Sequence, residues 1–291
     1  MDVLPGGALS PDRCLVLGGG GVAGIAWEIG VIAGLARGGV ILQDADLFVG
    51  TSAGSVAGAQ LAGGLDVEQL LMQQLSPPAD SVEQFRPYSQ AAADAQNVLL
   101  MQKVGNDLTK ARQRIGSYAL RSTTPSLAER REIIASRMLF TAWPERALKV
   151  VAVDVISSEP RVFDKTSGVD LVDAVAASCA VPGTWPPVPL QDATYMDGGI
   201  FSMTNAWVTT GARCVMVLAP LGYSEGNPVS GHLRAEVDRL REVGSLVEVI
   251  VPDEESLLGM GENVLDPARR MAAATAGLAQ GLRLSDFVRP W

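Results

Sequence analysis

Gly50-Thr-Ser-Ala-Gly54 sets one serine between two glycines. A short apolar stretch, Leu47-Phe-Val49, runs into it, and an Ala/Gly-rich stretch follows. This is the G-x-S-x-G pattern, in which a strand turns sharply into a helix and holds the serine Oγ clear of the sheet. Gly50 and Gly54 suit a cramped turn where backbones crowd together. Ser52 is thus a candidate nucleophile. A second glycine cluster, Gly18-Gly-Gly-Gly-Val-Ala-Gly24, lies upstream. Consecutive glycines let backbone N–H groups converge beside a helix N-terminus, a place that favours an anion. Two uses of that loop are open. Gly19, Gly21 and Gly24 fit the dinucleotide pattern G-x-G-x-x-G, and Asp44 and Asp46 lie about 20 residues on, where a ribose-binding acid would stand. Alternatively, the N–H groups form an oxyanion hole. Position separates the two. A ribose acid should end the second strand, whereas Asp44 and Asp46 precede it and the serine turn occupies its end. The preferred donors are therefore Gly19, Gly20 and Gly21, joined by the N–H of Ala53.

A nucleophilic serine needs a base. The chain has one histidine, His232. The order Ser52, Asp197, His232 follows the Ser…Asp…His order of α/β-hydrolases, yet His232 opens an amphipathic, surface-type helix. The better candidate is Asp197, in Tyr195-Met-Asp-Gly-Gly199 at the end of a short strand. Taken alone, Asp-Gly-Gly reads as a plain turn.

Taken together, Gly19-Gly-Gly-Val-Ala-Gly24, Gly50-Thr-Ser-Ala-Gly54 and Asp197-Gly-Gly199, in this order, resemble the patatin-like phospholipase family of lipid acyl hydrolases. Ala176-Ala-Ser-Cys-Ala-Val-Pro-Gly183, with Pro186 and Pro187, resembles a block that precedes the family's Asp-Gly motif. The resemblance covers about residues 13–220. It implies a three-layer α/β/α sandwich with a largely parallel central sheet. It also implies a Ser–Asp dyad without histidine, Ser52 as nucleophile and Asp197 as base, with the glycine-loop N–H groups holding the oxyanion. Gly24, Gly50, Gly54, Gly198 and Gly199 are its motif glycines. The implied reaction is hydrolysis of a fatty acyl ester through an acyl-enzyme, with no metal or cofactor. The loop departs from the family pattern at Ala23, where Arg or Lys is usual. The alternative reading is a lipid- or nucleotide-binding α/β protein with weak or no hydrolase activity.

Elements must bring these residues together. Cys14–Leu17 and Asp46–Gly50 read as strands, Val22–Ala36 and Ala53–Leu61 as the helices after them, a β-α-β-α start to an α/β domain. Residues 66–140 change character, with helical patterns broken at Pro77-Pro78, Pro87 and Pro125, and are expected to be a helical insertion or cap. Strands return at Leu148–Ile156, Arg161–Phe163, Thr194–Met196, Cys214–Leu218 and Leu246–Ile250. Gly231–Val243 is amphipathic, and a last helix is expected at about 263–281. No repeat or linker divides the chain, so a single patatin-like domain over 1–291 is expected, with residues 1–12 a loose lead-in.

The 291 residues include 47% hydrophobic and 19% charged side chains, enough apolar surface for a large core. The net charge of −9 argues against a nucleic-acid partner. Cys14, Cys179 and Cys214 are far apart in the sequence and read as core thiols of a reducing compartment. Cys179 has no histidine near it in sequence. Calcium is not expected, for no oxygen-ligand loop is apparent. No secretory signal or spanning helix is visible, so a cytoplasmic protein is expected, one that could meet a membrane surface to reach a lipid ester. Residues 101–137 hold eight Lys/Arg (Lys103, Lys110, Arg112, Arg114, Arg121, Arg130, Arg131, Arg137) against three acids. They read as a solvated helix face or, less simply, as a face toward phospholipid headgroups. Trp185 with Pro186-Pro187 could line an acyl pocket or stiffen a loop beneath the site. The oligomeric state is open.

Overall fold

A computed structural model describes residues 11–76 and 81–288. The expectations for most of the lead-in over 1–12 and for the break at Pro77-Pro78 lie outside the described residues. The first half begins as the sequence implies: β1 (Arg13–Leu17), α1 (Gly21–Arg37), β2 (Leu47–Thr51) and α2 (Ala53–Ala62). Then come helices, α3 (Val67–Leu75), α4 (Gln90–Lys103), α5 (Leu108–Arg121) and α6 (Leu127–Met138). No strand is found between β2 and β3 (Ala147–Asp154) among the described residues. The rest is β4 (Pro160–Phe163), α7 (Leu171–Ser178), β5 (Val188–Leu190), β6 (Ala193–Asp197), β7 (Cys214–Leu218), α8 (Leu233–Glu242), β8 (Leu246–Ile250), α9 (Glu254–Met260) and α10 (Arg270–Leu284).

The strands make one mixed sheet in the order β5-β6-β3-β2-β1-β7-β8, with β4 also on β3. β3, β2, β1, β7 and β8 run parallel, while β4, β5 and β6 supply the antiparallel pairs. From β1 the chain fills the β2–β3 side first and the β7–β8 side last. The loops that end β1 and β2 therefore open at the point where strand order reverses, the usual crevice of an open α/β sheet. Alternation along β1 sends Leu15 and Leu17 to one face and Cys14 and Val16 to the other. The first face packs on α1, α2, α7 and α10, the second on Leu233, Val237 and Leu240 of α8. Helices on both faces make the three layers expected.

α1 is apolar on nearly every side, Glu28 excepted, and is buried from Val22 to Leu35. It can be so because α10 covers its outer face. Gly30 and Gly34 meet Gly277 and Gly281 there, and a Cβ at any of the four would strike the partner's backbone. Three details differ from the sequence reading. The last helix begins at Arg270, later than expected, because Pro267 sits in a preceding turn and lacks the N–H a helix interior needs. α7 and α9 were not anticipated, being short and without a strong stripe. β5 was hidden by Pro189, tolerated because β5 is an edge strand.

Candidate active site

Ser52 stands where β2 turns into α2, with φ 52° and ψ −116°. A positive φ is strained for a residue with a Cβ, and such strain persists only where neighbours hold it. They do so on both sides. Gly54 lies so close to β1 that a Cβ would collide with the Leu17 carbonyl. The Ser52 N–H donates to Ser178 Oγ at 2.9 Å, and the Ser52 carbonyl accepts from Ser55 Oγ and Cys179 Sγ. The side chain is left to face Asp197: Ser52 Oγ donates to Asp197 Oδ2 at 2.7 Å.

Asp197 ends β6, paired with Ala152 of β3, one strand beyond β2. It is 5% exposed. Its N–H donates to the Ala180 carbonyl at 3.0 Å, and its Oδ1 accepts the Gly199 N–H at 2.8 Å. Burial pushes its pKa up to about 6, against the opposing pull of the Ser52 and Gly199 hydrogen bonds and the Arg130 charge. A carboxyl raised this far is a better proton acceptor for a hydroxyl than a free aspartate is.

The glycine loop lies beside this pair. Gly19, Gly20, Gly21, Ser52, Asp197 and Gly199 line one small space together with Tyr88, Met203 and Leu265. The N–H groups divide their duties. Gly19 was expected to be an oxyanion donor, but its N–H is already given to the Met203 carbonyl at 2.8 Å. It anchors the loop instead. Gly20, Gly21 and Ala53 have no protein acceptor for theirs among the described residues. Gly21 adopts φ +60° with the Val264 carbonyl against it, a position closed to a side chain. Gly24 closes the first turn by donating to Gly20 O, and Ala23, wholly buried, donates to Val264 O. Two or three backbone donors next to a serine Oγ can stabilise a developing oxyanion.

Several supports escaped the sequence reading. Ser178, Cys179 and Ala180, at the end of α7, hold the backbones of both Ser52 and Asp197. The Ala176–Gly183 block was the signal for them. Asn205 Nδ2 bridges Thr51 Oγ1 and the Gly198 and Ser202 carbonyls, tying the loop after Asp197 to β2. The basic run 101–137 proves only partly solvated. Arg112 turns inward from α5 and donates to the carbonyls of Ile200, Phe201 and Val229. Arg130 turns inward from α6, and Arg137 forms a half-buried pair with Glu83.

His232 caps α8, where its Nε2 meets the Val229 carbonyl at 3.0 Å. It is a hydrogen-bond partner of neither Ser52 nor Asp197. Cys179 is buried beneath the serine turn, and burial raises its pKa, which makes it a structural thiol. Trp185 is buried with Arg130 stacked over it. Among the described residues no three His, Cys, Asp or Glu side chains gather as metal ligands. Likewise, no described helix is long and apolar enough to cross a membrane.

A mainly parallel sheet with helices on both faces, with a serine on a strained strand-to-helix turn bonded to a buried aspartate, defines a three-layer α/β protein. The chain belongs to the patatin-like phospholipase family, whose model matches residues 15–210. That membership places it among hydrolases of ester bonds. Among solved structures it is similar to VipD from Legionella pneumophila, with 15% identity and a TM-score of 0.45, over 96% of this chain and 67% of that one. It is also similar to the type III effector protein ExoU, with 16% identity and a TM-score of 0.40, over 96% of this chain and 54% of that one. The chain thus spans about half to two thirds of the length of these neighbours. No curated protein sequence matches it.

Proposed function

We propose that the protein is a lipid acyl hydrolase, a phospholipase A or lysophospholipase, working through a Ser52–Asp197 dyad. The observation that carries this reading is the 2.7 Å bond from Ser52 Oγ to a buried aspartate of raised pKa. Asp197 takes the proton as Oγ attacks the ester carbonyl. The N–H groups of Gly20, Gly21 and Ala53 receive the oxyanion. Asp197 then protonates the leaving alkoxide, and an acyl ester remains on Ser52. Water, with Asp197 again as base, releases the fatty acid and restores the serine. No metal or cofactor takes part in these steps. The acyl chain has an apolar place to go. A cavity of about 570 Å3, lined by Pro220, Leu221, Val251, Leu257, Met260 and Val264 among others, shares Gln90, Leu221 and Val264 with the space around Ser52.

The test is hydrolysis of a panel of chromogenic acyl esters and phospholipids, alongside labelling by a fluorophosphonate. Ser52→Ala is expected to abolish labelling and lower kcat/KM by at least about a thousand-fold. Equal labelling of wild type and Ser52→Ala would sink the proposal, and a wild type that cleaves nothing in the panel would favour a binding role for the same site.

A further inference from the structure

Arg130 is buried by the fold without being satisfied by it. The residue is 3% exposed. Its Nη2 donates to the Cys179 carbonyl at 3.1 Å, and its guanidinium lies 3.9 Å from the centre of the Trp185 ring. Its Nε and Nη1 have no hydrogen-bond partner among the described residues. Leaving N–H groups of a charged side chain unpaired in the interior is expensive, and a native structure that does so has usually reserved them for something. Stacking on an aromatic face leaves the edge of the guanidinium, with its fork of donors, open to a planar or tetrahedral anion.

The surroundings say where such an anion would lie. Arg130 lines a narrow space together with Gly21, Ser52, Ala53 and Trp185. The partly paired guanidinium, the serine and the residues bearing two of the free backbone N–H groups therefore line one space. The space holds about 20 Å3, room for one oxygen-sized group. Val22 and Arg137 line it too, and they also line a cavity of about 490 Å3 beyond. Charge in that region is one-sided. Arg137 makes a bidentate pair with Glu83 at 2.6 Å. Among the described residues Arg270 donates to neutral acceptors, Gln74 Oε1 and the Gln73 carbonyl. Arg86 lies over the same Trp185, and its Nε has no partner among the described residues. Three guanidiniums, of Arg137, Arg270 and Arg130, thus act on one carboxylate among the described residues, Glu83, in a chain whose net charge is −9. Asp197 is the other acid that acts on Arg130, from the catalytic side. The glycine loop, residues 18–24, has no charged side chain of its own.

We propose that Arg130, backed by Arg86, Arg137 and Arg270, forms an anion subsite beside Ser52 that takes a phosphate oxygen of a glycerophospholipid headgroup. The subsite rests on the hydrolase reading for the identity of its ligand. In a glycerolipid the phosphate is a few bonds from the acyl ester, so one molecule can reach Ser52 and Arg130 together while its acyl chain enters the apolar cavity at Leu221 and Val264.

A monoacylglycerol and its 3-phosphate, with the same acyl chain, provide the test. For wild type, kcat/KM should favour the phosphate-bearing ester. That preference should fall roughly ten- to a hundred-fold in Arg130→Gln, the value of a charge-assisted hydrogen bond. It should return in part in Arg130→Lys, and Arg131→Gln, an exposed neighbour paired with Asp173, should leave it unchanged. An unaltered preference in a folded Arg130→Gln protein overturns the proposal. Should that variant fail to fold, wild type and Ser52→Ala are titrated with glycerol 3-phosphate, inorganic phosphate and glycerol while the thermal midpoint is followed. Glycerol 3-phosphate should raise the midpoint of both proteins, inorganic phosphate less, and glycerol not at all. No rise overturns the subsite. An equal rise with inorganic phosphate makes it a free-phosphate site and overturns the headgroup assignment. A rise with glycerol 3-phosphate in a protein that cleaves neither ester supports the subsite and sinks the hydrolase reading, so the two fail separately.

Discussion

At the scale of the residue, a carboxylate serves as a base near neutrality only where its surroundings raise its proton affinity, and Asp197 is in such a place. With a pKa of about 6, set chiefly by burial, it is largely ionised at pH 7 yet more basic than a free aspartate near 3.8. The proposed dyad therefore loses activity as pH falls through about 6, approaching ten-fold per pH unit below it, in a kcat/KM profile on a neutral ester. The same shift acts on stability with the opposite preference. The folded pKa is raised, so the folded state binds the proton more tightly. Its stabilising contribution is complete below the unfolded value and is lost as pH rises from about 4 through about 6. Asp197→Asn should thus be nearly inactive yet gain on wild type by something on the order of 3 kcal/mol between pH 4 and pH 7, measured by urea unfolding at both pH values. His232→Ala serves as the control. Its ring bonds only to a backbone carbonyl of its own turn, so turnover should stay within about two-fold of wild type. A loss of several orders of magnitude would restore a Ser–Asp–His triad.

At the scale of the element, the site is held by pieces far apart in sequence. The end of α7 grips both the serine turn and the aspartate backbone. α5 reaches over the loop after Asp197, where Arg112 bonds three carbonyls and stacks 4.2 Å from the centre of the Phe201 ring. Ile115 of α5 packs alongside on Val153, Val155 and Met196, the same cluster that Ile200 and Phe201 pack against. The helical segment between β2 and β3 thereby takes part in positioning the loop after Asp197. Arg112→Gln frees that loop and leaves buried carbonyls short of donors. It should cost on the order of 2–3 kcal/mol of stability and lower kcat about ten-fold, with KM for a short acyl ester little changed. A stability loss with no change in kcat would make Arg112 a structural clamp alone.

At the scale of the whole molecule, α1, one of the helices packed on the sheet, carries an acid into the core. Glu28 lies in the middle of α1 at 0% exposure, with no side-chain partner for its carboxyl among the described residues and only the Gly18 backbone to ease its burial. Burial holds its pKa well above 4.5, so the folded chain favours the neutral acid. The sign follows as for Asp197: this stability is present below about pH 4.5 and declines as pH rises, by up to about 1.4 kcal/mol per pH unit. Glu28→Met removes the charge and keeps the length. It should raise the thermal midpoint at pH 8 and leave it little changed at pH 4, as scanning calorimetry at the two pH values would show.

Some of this was legible in the chain and some was not, and the difference has a physical reason. β1, α1, β2 and α2 follow from local signals, apolar runs and glycine clusters within a few residues of each other. The three short motifs likewise named Ser52 and Asp197, since the chemistry of each motif resides in its own residues. By contrast, Gly19 was assigned a free N–H that the Met203 carbonyl takes, and that partner is set by a loop closing from residue 203. The basic run was read as solvated, yet the rotation of α5 and α6 against the sheet turns Arg112 and Arg130 inward. Ser178 carries nothing in its sequence to say that it will accept the Ser52 N–H across 126 residues. The sequence by itself determined the family, the motif residues that are candidates for chemistry, and the β-α-β-α start that presents two of the motifs. Only the tertiary structure decided which donors stay free, because each buried N–H is spent on whichever acceptor the packing brings within reach.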